Sequence, residues 1–475
     1  MHDIAIIGAG VIGAAIAREL SKYNLSTIIL DRENDASMGT SKANSGIIHA
    51  GYDPEEGTLM AKLNAQGNPM FDVMCDELSV PFLRNGSLVV AFDDGQIAHI
   101  HRLYERGLNN GIKGLRILST EQLLDIEPSI NPEAKGALFA QTAGVIDPML
   151  LTISLIESAA MNGVKYRFDF EVESIKKENG CYQISSSNDT IAARHVINAA
   201  GVFADKIHNM VAEPAYIIHP SRGQYYLLDK SETQTVNSTI FPCPTKLGKG
   251  ILVSTTVHGN IILGPTSEGV TDRDDMGTSD EMLNKVRAGV RLLIPKITTR
   301  NTIRTFAGMR AEADTLDFII KEADGAKGFF DVAGIKSPGL TAAPAIATYV
   351  VSMLGEADLA IKPKESFNPI VKRKHFMELT EREQSQLIKE NPLYGRVICR
   401  CENVTEGDIV DAINREVGAT TVGGVKRRCR AGMGRCQGGF CGPKVQQILA
   451  RELNKPLEEI VLEKKSSFIL TERTK

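Results

Sequence analysis

Eight cysteines are spread unevenly along the 475-residue chain. Cys75, Cys181 and Cys243 are scattered, whereas Cys399, Cys401, Cys429, Cys436 and Cys441 fall within a 43-residue window. Four of these form two close pairs, Cys399-Arg-Cys401 and Cys436-Gln-Gly-Gly-Phe-Cys441, the second beginning 35 residues after the first ends. Four thiolates in two pairs suit either a zinc ion or an iron–sulfur cluster. With no export signal at the N-terminus, a disulfide framework is not expected. Cys429 lies in the window but outside the pattern and reads as a small core residue.

A second chemical signature opens the chain. In DIAIIGAGVIGAAIARELSKYNLSTIILDRE (3–33) an apolar run, Ile4–Ile7, meets Gly8, Gly10 and Gly13, then an Ala-rich helical stretch, a second apolar run and Asp31. Strand, glycine turn, helix, strand and acid make a dinucleotide-binding unit. Gly8 permits the turn, Gly10 lets a pyrophosphate approach the backbone, and Gly13 lets helix and strand pack closely. The helix N-terminus offers unpaired N–H groups to phosphates. Asp31, 18 residues beyond Gly13, is placed to accept hydrogen bonds from a ribose. These residues leave NAD and FAD both open.

The elements that must position this chemistry follow in order. The polar loop 33–53 holds TSKANSGIIHAGYD, whose small residues suit passage over a flat ligand and which ends near His49. A satisfied loop histidine is the ordinary reading of His49. Apolar spacing predicts a helix over 58–80, then strand, helix and short helix over 85–94, 95–112 and 121–127. A helix over 144–166 is capped near Asp147–Pro148, and a strand meander over 171–201 ends in a buried strand that rejoins the parallel sheet. Residues 215–270 read as antiparallel strands, with His258 and Asn260 in a strand-end turn that either faces a substrate or only turns the chain. After a helix at 279–293 and a strand at 303–313, residues 328–354 repeat strand, Gly-rich turn and helix. Residues 355–395 are charged and Pro-dotted, a linker with a short helix at 379–389. The run KRRCR (426–430) reads as solvated surface that could dock an acidic redox partner, and 452–475 carries no functional signal.

A hydrophobic content of 43%, a charged content of 24% and a net charge of −4 fit a globular protein of two to four domains. They give no reason to expect nucleic-acid binding. No stretch reaches the length of a bilayer span, so no direct membrane insertion is expected.

Taken together, GAGVIG, SGIIHAG, VINAAG, GMR and GIKSPGLTAAPA resemble the FAD-dependent glycerol-3-phosphate dehydrogenase and D-amino-acid-oxidase-like superfamily over about residues 1–360. The resemblance selects FAD over NAD. It implies that Gly8, Gly10, Gly13 and Asp31 hold the ADP half, and that Ser41, Asn44, Ser45 and Gly46 run along the pyrophosphate and flavin. Val172 meets the adenine, Ala200 and Gly201 close over the diphosphate, and Gly334, Pro338, Gly339, Leu340 and Thr341 form the turn and helix start at the flavin's pyrimidine edge. His49 corresponds to a loop histidine near the flavin, where a neutral imidazole would take the substrate's hydroxyl proton. Arg310 corresponds to an arginine contacting substrate over the flavin; a structural ion pair is the alternative. Lys336 and His258 complete the expected substrate contacts. The cysteine tail resembles the bacterioferritin-associated-ferredoxin-like [2Fe–2S] module over about 396–450, with Cys399, Cys401, Cys436 and Cys441 as ligands and zinc as the alternative.

The implied fold is α/β (α+β): a Rossmann-like FAD domain (1–76, 145–205, 300–360), an interleaved antiparallel-sheet substrate domain (77–144, 206–299), a linker (361–395), a small helical [2Fe–2S] domain (396–452) and a tail (453–475). The implied activity is oxidation of glycerol 3-phosphate to dihydroxyacetone phosphate, with electrons passing through the cluster to a partner, because an oxidase needs no cluster. L-2-hydroxyglutarate or another 2-hydroxy acid, an amino acid or an amine are alternative substrates, and a non-catalytic electron-transfer subunit is an alternative of another class. The expected partner is a flavoprotein or membrane-anchoring subunit, and the expected location cytoplasmic, peripheral at the inner membrane through that partner.

Overall fold

A computed structural model describes residues 1–244, 250–357 and 359–472. At its centre the strand His2–Ile7 lies parallel to Thr27–Leu30 on one side and Thr190–Asn198 on the other. Lys165–Arg167 extends this sheet beyond Thr27–Leu30, and Phe329–Ala333 pairs parallel with the end of Thr190–Asn198. The first half of Thr190–Asn198 pairs antiparallel with Cys181–Ser185, so one long strand joins the meander to the parallel sheet. Alternation along the central strands separates two cores. Ile4, Ile6 and Ile29 face the helices Val11–Leu20, Pro148–Met161 and Gly339–Glu356, whereas Ala5, Ile7, Ile28 and Leu30 face Phe170, Tyr182 and Phe329.

Local chemistry fixes the ends of these helices. Asp147 caps Pro148–Met161, its Oδ1 accepting from the amides of Met149 and Leu150 at 3.0 Å each, with Pro148 at the first helical position, where a missing N–H costs nothing. The stretch expected as one helix over 58–80 is two, Leu59–Gly67 and Phe71–Leu78, divided by a 3-10 turn at Asn68–Met70. Pro69 removes an amide there.

The second sheet has nine strands. Ile218–Leu228 and Thr302–Ala313 pair antiparallel over nearly their whole lengths, so Thr302–Ala313, expected within the FAD domain, belongs to the substrate-side sheet. Ser87–Ala91, Leu115–Ser119 and Gly136–Ala140 join the same sheet from the earlier excursion. Val286 and Val290 of the helix Asp280–Leu293 pack against Tyr226, Val253 and Leu263. The C-terminal unit has its own core, in which Val404, Ile409, Val425, Val445 and Leu449 meet. The segment expected as a linker is packed: Val371 sits in the nucleotide-side core, and Phe376, Leu387 and Tyr394 form a cluster of their own. Among the described residues no helix is long and apolar enough to cross a membrane.

Backbone packs closely at the glycine turn. Gly8 has φ +110°, and a Cβ on Gly13 would collide with the Gly8 carbonyl oxygen. Backbone sits where a side chain would, so neither helix nor strand can yield without displacing the sheet. Gly13→Ala is expected to destabilise the fold by about 1–3 kcal/mol. Urea unfolding checks this, and an unchanged midpoint would contradict it.

Candidate functional site

A cavity of about 1790 Å³ runs from the glycine turn to the nine-stranded sheet, well above the roughly 300–1,000 Å³ of an ordinary small-molecule pocket. It has room for an extended dinucleotide and a substrate together. Gly8, Gly10, Asp31, Ser41, Asn44, Ser45, Gly46, Val172, Ala200, Gly201, Pro338, Gly339 and Leu340 all line it. Gly13, Gly334 and Thr341 do not; they act from behind the wall. Thr341 Oγ1 accepts the His49 amide at 2.8 Å, and Gly334 turns the chain at φ +64°.

At the nucleotide end, the Val11 amide donates to Ser41 Oγ at 2.8 Å. Asp31 Oδ2 accepts from the Ala9 amide at 2.6 Å and Oδ1 from the Glu33 amide at 2.8 Å. Burial pushes Asp31 up to about 6, and those two amides only partly oppose it. Hydroxyl donors supplied by a ribose would favour the ionised carboxylate. The bare glycine turn, the helix start and this carboxylate fit the ADP half of FAD.

At the other end, His49, Arg310 and Lys336 line the same cavity. The His49 ring is positioned from several sides. Its Nε2 lies 3.1 Å from Ser337 Oγ, its carbonyl accepts from Asn68 Nδ2 at 2.9 Å, and the ring stacks on Phe241 with centroids 6.0 Å apart. Arg310 projects from Thr302–Ala313, donating from Nη2 to the Thr266 carbonyl at 3.0 Å and from Nη1 to Ser221 Oγ at 3.4 Å. Among the described residues no carboxylate pairs with it, so its alternative as a structural ion pair is not what the fold contains. Lys336 is paired, its Nζ 3.0 Å from Glu312 Oε2.

Sequence reasoning passed over Gly223, where a Cβ would lie 2.6 Å from Arg310 Nη2. A glycine inside an otherwise good strand, SRGQYYLL, was the available signal for a close approach. Phe241 and Ser337 were also missed, and nothing local marks them. His258 is not brought to the cavity: its Nε2 lies 2.9 Å from Asp147 Oδ2, across from the helix cap. Asn260 donates to the Leu228 carbonyl at 2.9 Å, as a turn residue would.

The four cysteines stand as two pairs. Cys401 Sγ and Cys436 Sγ are 3.8 Å apart. Cys399 shares a hydrogen bond with Cys441 that, with backbone amides of Gly432, Glu402 and Cys401, draws its thiol down to about 5. Amides of Phe440 and Gly438 likewise lower Cys436. Backbone donors aimed at sulfur stabilise thiolates, the form that binds metal, whereas Cys441 and Cys401, the other member of each pair, are pushed up. Four thiols standing as two pairs fit the ligand set of a [2Fe–2S] cluster. Among the described residues no three or more His, Cys, Asp or Glu side chains gather around a single ion position. Cys429 is buried in the small core, as expected.

The basic run KRRCR is not the solvated surface expected. Arg427 and Arg428 are 4% and 2% exposed. Arg428 Nη2 and Nη1 grip Asp35 Oδ1 and Oδ2 at 2.7 and 2.8 Å, and Arg427 Nη2 adds a third contact at 2.7 Å. Burial alone would raise Asp35, but the guanidiniums of Arg428 and Arg427 outweigh it and hold the carboxyl at about 2. Asp35 lies in the loop between Asp31 and Ser41, so this pairing ties the cysteine-bearing unit to the nucleotide loop.

Comparison with known proteins agrees with this division. Residues 3–353 match the DAO family, FAD dependent oxidoreductase, and residues 397–451 match the BFD-like [2Fe-2S] binding domain. The chain is 52% identical over 476 residues to a glycerol 3-phosphate dehydrogenase of Caloramator mitchellensis, covering 100% of this chain and 99% of that one. A structure of dithionite-reduced L-alpha-glycerophosphate oxidase from Mycoplasma pneumoniae with FAD bound superposes with a TM-score of 0.74 at 32% identity, covering 78% of this chain and 99% of that one. An L-2-hydroxyglutarate dehydrogenase of Nematostella vectensis is 30% identical over 287 residues, 56% of this chain and 62% of that one. The chain belongs to the FAD-dependent oxidoreductase family and ends in a BFD-like [2Fe–2S] domain.

A carboxyl depressed in the folded state contributes stability above its unfolded value, near 3.9, and loses it as pH falls toward about 2. Asp35→Asn leaves Arg428 buried without its anion and Arg427 with Glu463 alone, and is expected to cost about 3–5 kcal/mol at pH 7. In urea unfolding the gap from wild type should hold steady from pH 7 to about pH 4 and narrow below that. A gap that widens on acidification would contradict this assignment.

Proposed function

We propose that the chain oxidises the secondary alcohol of glycerol 3-phosphate to the ketone of dihydroxyacetone phosphate, and that the electrons leave through the C-terminal [2Fe–2S] domain to a separate acceptor protein. The observation that carries this reading is the convergence, on the cavity that the nucleotide loop also lines, of His49 and Arg310, which has no carboxylate partner among the described residues. FAD, when bound, supplies the acceptor for the hydride leaving the alcohol carbon. His49 takes the hydroxyl proton, its ring held by Phe241 and Ser337 Oγ and its backbone amide donating to Thr341 Oγ1. Arg310 holds the phosphate, since a forked guanidinium matches a tetrahedral anion's oxygens. Its charge is available for that role because the Thr266 carbonyl and Ser221 hydroxyl orient it without neutralising it. Lys336, offset by Glu312, adds a weaker positive edge.

The flavin-side assignments follow the cavity. Gly8, Gly10, Asp31 and Ser41 hold the ADP half, Val172, Ala200 and Gly201 frame it, and the helix start at Pro338–Leu340 favours negative charge on the reduced ring. Cys399, Cys401, Cys436 and Cys441 hold the cluster. Phe440 is 85% exposed between two of these ligands, a surface suited to an electron-accepting partner, which could also bring the chain to a membrane.

L-2-hydroxyglutarate is the second reading, favoured by the Nematostella vectensis relative and by Arg310, which suits a carboxylate as well as a phosphate. Retention of His49 and Arg310 in one cavity counts against a purely electron-carrying subunit. Anaerobic addition of each compound to the purified holoprotein separates the readings. Glycerol 3-phosphate is expected to bleach the flavin absorbance promptly, while L-2-hydroxyglutarate leaves it oxidised; the reverse result would move the assignment to the 2-hydroxy acid. His49→Asn should slow the bleaching by roughly 10²–10⁴-fold with flavin content unchanged, and a rate equal to wild type would remove His49 from the chemistry. Cys401→Ser should lose iron and electron delivery to an external acceptor protein yet keep substrate-driven bleaching. Iron retained at wild-type stoichiometry would contradict the ligand assignment.

A further inference from the structure

The segment beyond the helix Gly442–Leu453 carries no sequence signal, yet it returns across the molecule to the nucleotide end of the cavity. Residues 461–468 close a small turn, with the Leu462 amide donating to the Ser467 carbonyl at 2.8 Å and an isolated bridge between Val461 and Phe468. Lys464, at its tip, lines the same cavity as Asp31. Its Nζ lies 3.0 Å from Glu33 Oε1, two residues beyond Asp31. Lys465 Nζ lies 3.1 Å from Asp169 Oδ1, immediately before the stretch Phe170–Val172 that walls the cavity. Glu463 reaches back into the protein: its carbonyl accepts from Asn34 Nδ2 at 2.8 Å, and its carboxylate pairs with Lys42 at 3.3 Å and with Arg427. Three consecutive residues of the tail therefore hold three different segments that frame the adenosine corner. Two of those segments are joined behind the cavity, where the amides of Asp169 and Phe170 donate to the carbonyls of Glu33 and Asp31 at 2.8 Å each.

We infer that Lys464 is part of the FAD-binding site, and that FAD occupancy is coupled through residues 463–465 to docking of the tail segment 461–468 on this corner. The inference rests on the FAD reading of the cavity. The physical basis is shared ordering. Exposed pairs such as Lys464–Glu33 and Lys465–Asp169 contribute little when both partners must be immobilised for the purpose. A ligand that fixes Asp31–Glu33 and Phe170–Val172 has already ordered one partner of each pair, so the tail docks at lower entropic cost on the loaded protein. By linkage the docked tail raises FAD affinity by the same factor. Glu463, through Arg427 and its neighbour Arg428 on Asp35, connects this corner to the helix Val422–Cys429 and so to the cluster unit.

The test removes FAD reversibly from the full-length chain and measures re-binding by quenching of flavin fluorescence. Lys464→Ala/Lys465→Ala is expected to weaken FAD binding about three- to tenfold, while Lys444→Ala, an exposed lysine on the cluster unit, leaves it unchanged. Both lysines of the double variant are at the surface, so the apoprotein should keep its wild-type unfolding midpoint. In parallel, amide hydrogen exchange across 461–468 should slow on adding FAD to wild-type apoprotein. Wild-type FAD affinity in the double variant, or tail amides that exchange equally fast with and without FAD, would overturn the inference. A wild-type chain that takes up no flavin overturns the FAD reading itself, and this inference with it.

Discussion

An ionised carboxylate persists in an apolar interior only where cations are locked against it. Asp35 meets that condition through two guanidiniums, one of them 393 residues away along the chain. Much of the molecule's arrangement depends on this pairing. It fixes the loop that leads from Asp31 to Ser41, and therefore one wall of the cavity, to the helix Val422–Cys429 of the cysteine-bearing unit. Neither side can shift alone without leaving buried charge unpaired, which is costlier than the loss of any surface contact in the same interface. Surface pairs such as Arg435–Asp229 and Lys230–Glu402 add contacts around the rim, but screening and side-chain entropy keep their contribution small.

The same rigidity joins the two chemical centres. The strand Thr302–Ala313 carries Arg310 into the cavity and Arg304 toward Gln437, the neighbour of Cys436, with Nη1 3.3 Å from Gln437 Oε1. Six residues of strand span about 20 Å, so one continuous strand runs from the cavity-lining Arg310 to the edge of the cysteine pairs. Midway, a Cβ on Gly308 would run into the Ala43 carbonyl, which presses that strand against the loop 40–46 lining the cavity. A domain on a loose tether would leave the distance between centres variable; close backbone packing and buried charge hold it fixed.

What could be read in the sequence was what local chemistry encodes. The strand, glycine turn, helix and acid of the first 31 residues are contiguous, and each glycine has a steric reason. The cysteine pairs are legible for a similar reason: their spacing is their function. Arg427 and Arg428 were misread because a basic run looks solvated unless its anion is known, and Asp35 stands at the opposite end of the chain. The strand Thr302–Ala313 was given to the FAD domain because it precedes Phe329–Ala333 in sequence, whereas its pairing with Ile218–Leu228 is decided by a partner 80-odd residues earlier. The break at Pro69 was available from the residue itself. His258, in a strand-end turn, was expected to face the substrate, but the fold places it against the carboxylate that caps Pro148–Met161.

The most direct test of the account is to follow flavin and cluster together in one anaerobic rapid-mixing experiment on the full-length chain. Glycerol 3-phosphate is added, flavin is read by absorbance and the reduced [2Fe–2S] centre by its paramagnetic resonance. The account predicts that cluster reduction follows flavin bleaching at a rate independent of protein concentration, as expected for two centres held in one rigid molecule. Flavin that bleaches while the cluster stays oxidised, or cluster reduction whose rate rises with protein concentration, would contradict it.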